Sequence, residues 1–171
     1  MEPWRKLGEE VVYDRFRRIV SRSFRLPDGT TTEFEVIDLC DSAAVLALTP
    51  NDEVVLVREF RPGPEELVLE VPGGVVEPGA SPNEAARTEL LEETGYAGDL
   101  THVATLLQDA YATNCKHVFA ATDCRKVADP EQPALTEPVL MPLADFRSLL
   151  RRGRLTDVDA AYRALDDLGL L

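Results

Sequence analysis

Three glutamates, Glu89, Glu92 and Glu93, are spaced so that one short helix would bring their carboxylates together. Because an α-helix turns by about 100° per residue, these side chains occupy roughly a quarter to a third of its circumference. Like charges at such spacings repel each other, and no Lys or Arg lies between them to relieve the repulsion. The group is therefore either a solvated acidic stripe or a site in which a bound cation holds the carboxylates together.

A divalent cation would turn this repulsion into attraction. Mg²⁺ and Mn²⁺ accept hard carboxylate oxygens, and they usually keep several waters while substrate phosphates complete the shell. Gly73 and Gly74 precede the three glutamates in the sequence. Because glycine has no side chain, the backbone can approach a metal closely there, and we expect the Gly73 carbonyl to join the ligands. The sequence thus predicts a Mg²⁺ or Mn²⁺ site formed by Gly73, Glu89, Glu92 and Glu93.

A helix must carry these carboxylates, and the sequence marks both of its ends. Ser81 suits the N-cap, and Pro82 suits the first helical position, where its missing N–H leaves no hydrogen bond unmade. Glu84 completes a capping box with Ser81. At the other end, Gly95 is a typical left-handed C-cap. The pattern therefore predicts a helix over residues 82–94.

The stretch over residues 72–96 resembles the signature of the Nudix hydrolases, G-x5-E-x7-R-E-U-x-E-E-x-G-U, in which U is an apolar residue. The positions that match the signature are Gly74, Glu89, Leu90, Glu92, Glu93, Gly95 and Tyr96. Two positions depart from it, because its first Glu is Ala80 here and its Arg is Thr88. In the family these two residues are paired, so losing both leaves neither charge without a partner. We interpret the double departure as a replaced structural ion pair and expect activity.

The resemblance implies an α/β protein with the Nudix fold, an α/β/α sandwich with a mixed β-sheet. Residues 41–171 would form the Nudix hydrolase domain, and residues 1–40 an N-terminal β-hairpin extension. Strand-like runs over residues 18–26 and 31–39 flank a turn at Pro27-Asp28-Gly29, where glycine allows a positive φ. In the nucleotide-sugar branch such N-terminal strands build a dimer and contribute substrate-base contacts. A homodimer is implied on that ground alone.

Hydrophobic periodicity predicts the remaining elements of the domain. Strands are predicted over residues 42–48, 53–60, 66–71, 100–108, 116–122 and 138–141, and amphipathic helices over residues 143–152 and 157–168. This alternation of strands and helices is typical of a sheet covered by helices.

The chain is most similar in appearance to the ADP-ribose and ADP-sugar pyrophosphatases of the family. That resemblance implies Mg²⁺-dependent hydrolysis of a small nucleoside diphosphate compound, with ADP-ribose as the expected substrate and AMP and ribose 5-phosphate as products. GDP-mannose or another nucleoside diphosphate derivative is an alternative substrate. The departures at Ala80 and Thr88 also leave open a domain that binds nucleotide with weak or no catalysis.

Three residues are candidates for substrate contacts. Trp4 begins a Trp-Arg-Lys-Leu run that resembles the start of ADP-sugar pyrophosphatases, in which a Trp stacks on adenine; its alternative role is a partly buried anchor. Arg58 and Arg61 end a strand-like run just before the metal loop, and a guanidinium can grip phosphate as a bidentate fork. Arg61 also matches the Arg of a family F-R-P motif that contacts substrate. The alternative for both arginines is an ordinary surface charge.

Water that attacks a diphosphate must lose a proton, so the reaction requires a general base. The polar, Pro-rich segment over residues 126–136 predicts a mobile loop, and Glu131 and Glu137 are the carboxylates in or beside it. The resemblance to the ADP-ribose branch favours Glu137, which directly precedes a predicted strand. Glu89 is the alternative base, because other Nudix branches place the base on the signature helix. Either loop carboxylate could instead be merely solvated.

Composition limits the class of partner. The chain has 171 residues, of which 44% are apolar, enough for one globular domain with a sizeable core. A net charge of −13 argues against nucleic-acid binding, although a metal and a few arginines could still attract a small anionic substrate. No apolar stretch reaches the length needed to cross a bilayer, so we expect no membrane association. Three cysteines without C-x-x-C spacing indicate reduced thiols in a cytoplasmic protein.

Overall fold

The computed structural model describes residues 1–131 and 135–171, which divide into two compact units. The first unit consists of Met1–Cys40 and Leu107–Cys115, and the second of Asp41–Leu106 and Lys116–Leu171. Residues 107–115, predicted to belong to the domain over residues 41–171, lie in the first unit. Part of the predicted mobile loop, residues 132–134, lies outside the described residues.

The first unit contains a three-stranded antiparallel sheet in the order β1-β2-β3. Its strands are β1 (Arg5–Asp14), β2 (Arg18–Arg25) and β3 (Thr31–Asp38). The predicted hairpin of β2 and β3 is present, and Gly29 in its turn has a φ of 87°. Strand β1 was not predicted, because all 10 of its residues are exposed and its sequence therefore lacks the alternation that half-burial imposes. Residues 107–115 join this unit through the Ile37 N–H, which donates to the Tyr111 carbonyl at 2.8 Å.

The remaining elements form a mixed sheet with three helices. The strands are β4 (Ser42–Leu48), β5 (Glu53–Arg61), β6 (Glu66–Glu70), β7 (Gly73–Val75), β8 (Tyr96–Leu107), β9 (Cys115–Lys126) and β10 (Thr136–Pro142), and the helices are α1 (Pro82–Thr94), α2 (Leu143–Arg152) and α3 (Val158–Asp167). The main strand order is β10-β5-β4-β9-β8, with β6 paired to β5 and β7 paired to β4. Strands β4 and β9 are parallel, whereas β5 pairs antiparallel with β4, β6 and β10. Of these strands, β7 was not predicted, since its Gly-rich sequence has low strand propensity.

The sheet buries apolar side chains on both faces. Successive strand residues point to opposite faces, so Val45 and Leu46 of β4 belong to two different cores. Leu46 packs in the core that includes Phe146 of α2 and Leu165 of α3. Val45 packs in the core that includes Leu90 of α1. The expected α/β/α arrangement with a mixed sheet is therefore confirmed, and each fully buried side chain of this kind contributes about 1.5–3 kcal/mol.

Helix α1 begins and ends where its capping residues predict. The Ser81 hydroxyl accepts the Glu84 N–H at 3.2 Å, and the Glu84 carboxylate accepts the Ser81 N–H at 3.0 Å, which completes the capping box. At the C-terminus Gly95 has a φ of 75°, and its N–H donates to the Leu91 carbonyl at 2.7 Å. These local bonds fix where α1 begins and ends, and the packing of Ala86 and Leu90 in the core fixes which of its faces is buried.

Candidate functional site

A cavity of about 300 Å³ in the second unit brings all four predicted metal ligands together. It is lined by Glu59, Arg61, Gly73, Gly74, Glu89, Glu92, Glu93, Glu131, Leu135 and Thr136. Two further carboxylates, those of Glu59 and Glu131, therefore line the cavity together with the three on α1. Glu131 was considered from the sequence but not preferred, and Glu59 was missed.

The two glycines of β7 let backbone lie directly against the carboxylates of α1. The Gly73 N–H donates to a carboxylate oxygen of Glu93 at 3.0 Å. A side chain at Gly74 would overlap the Glu89 carboxylate, and one at Gly73 would overlap the carbonyl oxygen of Ala43 on the neighbouring strand. Glycine is thus required at Gly73, where the neighbour is backbone, whereas a side chain at Gly74 would displace the Glu89 carboxylate.

Burial makes the ionised forms of Glu89 and Glu93 unfavourable. Desolvation is the main cause that raises the pKa of Glu93 to about 7; the charges of Glu89 and Glu59 add to it, and the Gly73 N–H opposes it. Desolvation, followed by the charge of Glu92, also raises the pKa of Glu89. A cation in the cavity would relieve both effects, because it favours the ionised form of each carboxyl group.

Arg61, which the sequence predicts to contact substrate, reaches the cavity from the end of β5. Its Nε and Nη2 donate to the two carboxylate oxygens of Glu70 at 2.6 and 2.5 Å, and Nη2 lies 3.2 Å from Glu59. These bonds, chiefly the one to Glu70, raise the pKa of Arg61 further above its usual range, so the guanidinium stays charged. Among the described residues that line the cavity, Arg61 is the only cation.

The structure does not bring Arg58 or Glu137 to this cavity. The two residues lie opposite each other on β5 and β10, and their side chains form an exposed ion pair at 3.0 Å. Because side chains alternate along a strand, Arg58 faces away from the side that Glu59 and Arg61 share. The same alternation is the signal that could have identified Glu59: any strand that sends Arg61 into a cavity sends Glu59 there too.

The loop carboxylate that does line the cavity is Glu131. Its backbone N–H donates to the Glu92 carbonyl at 2.8 Å, which attaches the chain at Glu131 to the last turn of α1. Glu137 instead lines a separate cavity with Tyr96 and Lys126. Glu137, which the sequence favours as general base, therefore does not line the carboxylate cavity, whereas Glu131 does.

The set of donors around the cavity fits a hard divalent cation. Its ligating atoms are carboxylate oxygens and backbone, which suit Mg²⁺ or Mn²⁺ rather than a thiolate- or imidazole-binding metal. No group of three or more His, Cys, Asp or Glu side chains within residues 1–131 and 135–171 is already gathered tightly enough to hold an ion. A bound cation would favour the ionised forms of Glu89 and Glu93, which burial opposes.

The two departures from the Nudix signature face the same space. Ala80 and Thr88 both line a cavity of about 440 Å³ that also touches Glu89 and Glu92. This is the arrangement expected if a paired Glu and Arg had been replaced together. The loop before α1 is held instead by the capping box and by Val76, which is buried and whose N–H donates to the Asp41 carbonyl at 2.8 Å.

Trp4 lies in an aromatic cavity within the first unit. Its ring is stacked on Phe34, with centroids 5.7 Å apart and an angle of 22° between the planes. The Phe24 ring packs edge-on against Trp4, with centroids 6.3 Å apart. The cavity measures about 330 Å³ and is lined by Trp4, Arg22, Phe24, Phe34, Val36, Ala110, Tyr111 and Ala112. The Trp4 side chain is thus packed on one side yet 43% exposed, a state compatible with either role predicted for it.

All three cysteines are free thiols, and burial is the main cause that raises the pKa of Cys124 to about 11. None of the helices in the described part of the chain has the length and apolar character that a membrane span requires.

Comparison with known proteins identifies relatives over most of the chain. A family model described as the NUDIX domain matches residues 38–162. The chain is 30% identical over 159 residues to the ADP-ribose pyrophosphatase of Bacillus subtilis, covering 90% of this chain and 86% of that protein. It is 29% identical over 171 residues to a CMP-5'-(N-acetyl-N-hydroxy-3-aminopropyl)phosphonate hydrolase of Streptomyces rubellomurinus, covering 98% and 83% of the two. A crystal structure of an ADP compounds hydrolase superposes with a TM-score of 0.79 at 24% identity, covering 100% of this chain and 98% of that one.

Proposed function

Because the chain belongs to the Nudix family and is a pyrophosphohydrolase of that family, we propose that it hydrolyses the diphosphate of ADP-ribose or a related nucleotide sugar with Mg²⁺. The products would be a nucleoside monophosphate and a sugar phosphate. The observation that supports this proposal most is the single cavity that contains Gly73 and the three glutamates of α1. Similarity to a protein named ADP-ribose pyrophosphatase supports the choice of substrate.

Members of the family generally use divalent metal ions. In this chain Glu89, Glu92, Glu93 and the Gly73 carbonyl would hold Mg²⁺ or Mn²⁺. When bound, such an ion neutralises diphosphate charge and favours ionisation of the attacking water. The protein residues orient and desolvate the substrate and accept the proton.

We assign the general base to Glu131 in place of Glu137. Glu131 lines the cavity and its backbone is tied to α1, whereas the Glu137 carboxylate lies outside this cavity and is paired with Arg58. A carboxylate oxygen of Glu131 would take the proton from the attacking water. Glu89, which also lines the cavity, is the alternative base.

Arg61 would bind substrate phosphate through its remaining donors. Glu70 and Glu59 engage Nε and Nη2, so the N–H groups of Nη1 are left to face a phosphate oxygen. Glu70 is itself only 5% exposed and therefore holds the guanidinium on a rigid support. The phosphate would be fixed by a preoriented cation, which loses less side-chain entropy on binding than a free one.

The first unit would supply contacts to the nucleobase and to a second copy of the chain. Trp4 would stack on the base, since the packing of its ring on Phe34 keeps that ring in one orientation.

Strand β1 would contribute to a homodimer, because all 10 of its residues are exposed and include Val11, Val12 and Tyr13. Analytical ultracentrifugation should give twice the monomer mass, and a purely monomeric protein would contradict this. The free thiols support a cytoplasmic location.

A substrate panel tests the reaction. The purified protein is incubated with ADP-ribose, GDP-mannose and CMP-linked compounds, in Mg²⁺, in Mn²⁺ and in EDTA, and the products are identified by mass spectrometry. CMP compounds are included because a relative is named for one of them. We expect AMP and ribose 5-phosphate from ADP-ribose only when a divalent ion is present. Absence of hydrolysis of every compound would favour a nucleotide-binding domain without catalysis.

A matched pair of variants tests the base. Glu131→Gln should lower kcat by about 10²–10⁴-fold, the usual contribution of a general base. Glu137→Gln removes an exposed carboxylate outside the cavity and should leave kcat nearly unchanged. The reverse ranking would return the role to Glu137.

A further inference from the structure

We propose that Gly95 is a positioning residue for Glu131: the backbone of residues 127–131 packs against Gly95 and is thereby held on the end of α1. The inference rests on the proposed role of Glu131 as general base. It concerns a residue that touches neither substrate nor metal and acts only by placing another side chain.

Backbone hydrogen bonds attach this segment to the last turn of α1 at two points. The Gly95 carbonyl accepts the N–H groups of Val127 at 2.8 Å and Ala128 at 3.1 Å. Three residues further on, the Glu131 N–H donates to the Glu92 carbonyl at 2.8 Å. The base is thus fixed by main-chain bonds to the helix that carries the metal-binding carboxylates.

Close packing at Gly95 makes the attachment depend on glycine. A side chain there would overlap the carbonyl oxygen of Ala128 and lie 2.9 Å from its carbonyl carbon. These are backbone atoms, so they cannot rotate away as a flexible side chain would. Any residue larger than glycine must push the Ala128 peptide off the end of α1.

The second helix provides a matched comparison. Gly153 ends α2 with a φ of 64°, close to the 75° of Gly95, and each glycine N–H bonds to a carbonyl of the preceding turn. A side chain built at Gly153 meets nothing within 4 Å. The two glycines therefore share the left-handed conformation but differ in whether a side chain would clash.

Displacing Ala128 should displace Glu131, because only two residues separate them. A general base must lie within hydrogen-bond reach of the proton that it removes, and a shift of ~1 Å can lower the rate on the order of 100-fold. The carboxylates of Glu89, Glu92 and Glu93 should stay in place, since they belong to α1 itself. The effect should therefore appear in kcat and not in metal affinity.

The test compares Gly95→Ala with Gly153→Ala in the full-length protein. For each variant, kcat and KM for ADP-ribose, Mn²⁺ affinity by calorimetry and the urea unfolding midpoint are measured. Both should lose stability from the strained backbone, but only Gly95→Ala should lose kcat, on the order of 100-fold, with unchanged Mn²⁺ affinity. Equal kcat in the two variants would overturn the proposal. Gly95→Asn provides the same clash with less left-handed strain if the Ala variant does not fold.

A double-mutant cycle separates positioning from a general structural effect. If Gly95 acts through Glu131, the variant carrying both Gly95→Ala and Glu131→Gln should be no slower than Glu131→Gln alone. Multiplying losses would show that Gly95 acts independently and would overturn the proposal. A wild-type protein without hydrolytic activity would instead refute the proposed function, and full activity of Glu131→Gln would refute the base assignment on which this inference depends.

Discussion

Replacing Glu93 by Gln should remove Mg²⁺-dependent turnover and, in the same variant, stabilise the metal-free protein above neutral pH. Glu93 is a buried carboxyl group whose pKa is raised to about 7, mainly by desolvation. At pH 8 it is ionised in the folded state, where its charge is unfavourable. Gln has nearly the same shape, carries no charge and keeps an oxygen that can accept the Gly73 N–H.

The size of the effect follows from the pKa in the folded protein. The difference between about 7 and the ordinary value of 4.5 corresponds to on the order of 3 kcal/mol, at ~1.4 kcal/mol per pKa unit. Because the folded pKa is raised, the penalty is absent below about pH 4.5, grows between pH 4.5 and 7, and is complete above pH 7. Glu93→Gln should therefore be more stable than the wild type by about 1 kcal/mol at pH 5 and by about 3 kcal/mol at pH 8. The difference at pH 8 corresponds to an increase in Tm of roughly 5–10 °C.

Urea unfolding in EDTA at pH 5 and pH 8 measures this difference directly. Glu77→Gln is the matched control, since Glu77 is exposed and lies outside the carboxylate cavity. Its unfolding free energy should follow that of the wild type at both pH values. A Glu93→Gln protein no more stable than wild type at pH 8 would refute the electrostatic reasoning, and full Mg²⁺-dependent activity would refute the metal site.

Three further predictions concern other parts of the chain. Ala80→Glu combined with Thr88→Arg should keep or raise Tm, since both positions line one cavity, whereas Thr88→Arg alone should lower it; a combined variant less stable than both single variants would contradict this. Gly74→Ala should weaken Mn²⁺ binding measured by calorimetry, because the added methyl group overlaps the Glu89 carboxylate and displaces it; unchanged affinity would contradict this prediction. Trp4→Ala should raise KM for ADP-ribose about tenfold with little change in kcat, as loss of a base-stacking ring predicts; an unchanged KM would leave Trp4 as a packing residue.

The helix that carries the predicted metal ligands was predictable because its signals are local. Ser81 and Gly95 are capping residues whose own chemistry fixes where α1 begins and ends. Once the helix is placed, its geometry alone gathers Glu89, Glu92 and Glu93. Both steps need only neighbouring residues, and the structure agrees with them at every position.

The side of the cavity that β5 forms was not predictable in the same way. Whether Arg58 or Arg61 faces the cavity depends on which side of β5 packs against α1, and that is decided by tertiary contacts. The register of β5 against β10 then places Glu137 beside Arg58 and away from the cavity. Strand alternation could have linked Glu59 to Arg61, but it could not have indicated which pair pointed inward.

Charge links the proposed metal site to the proposed substrate site. Five carboxylates line the cavity, and Arg61 is the only cation among the described residues that do so. Two unit charges ~4 Å apart interact by about 4 kcal/mol at an effective dielectric constant of ~20, so several ionised glutamates would repel a diphosphate strongly. Arg61 does not offset this repulsion, because its charge is already balanced by ion pairs with Glu70 and Glu59. The proposed binding of a diphosphate therefore requires cations on these same glutamates.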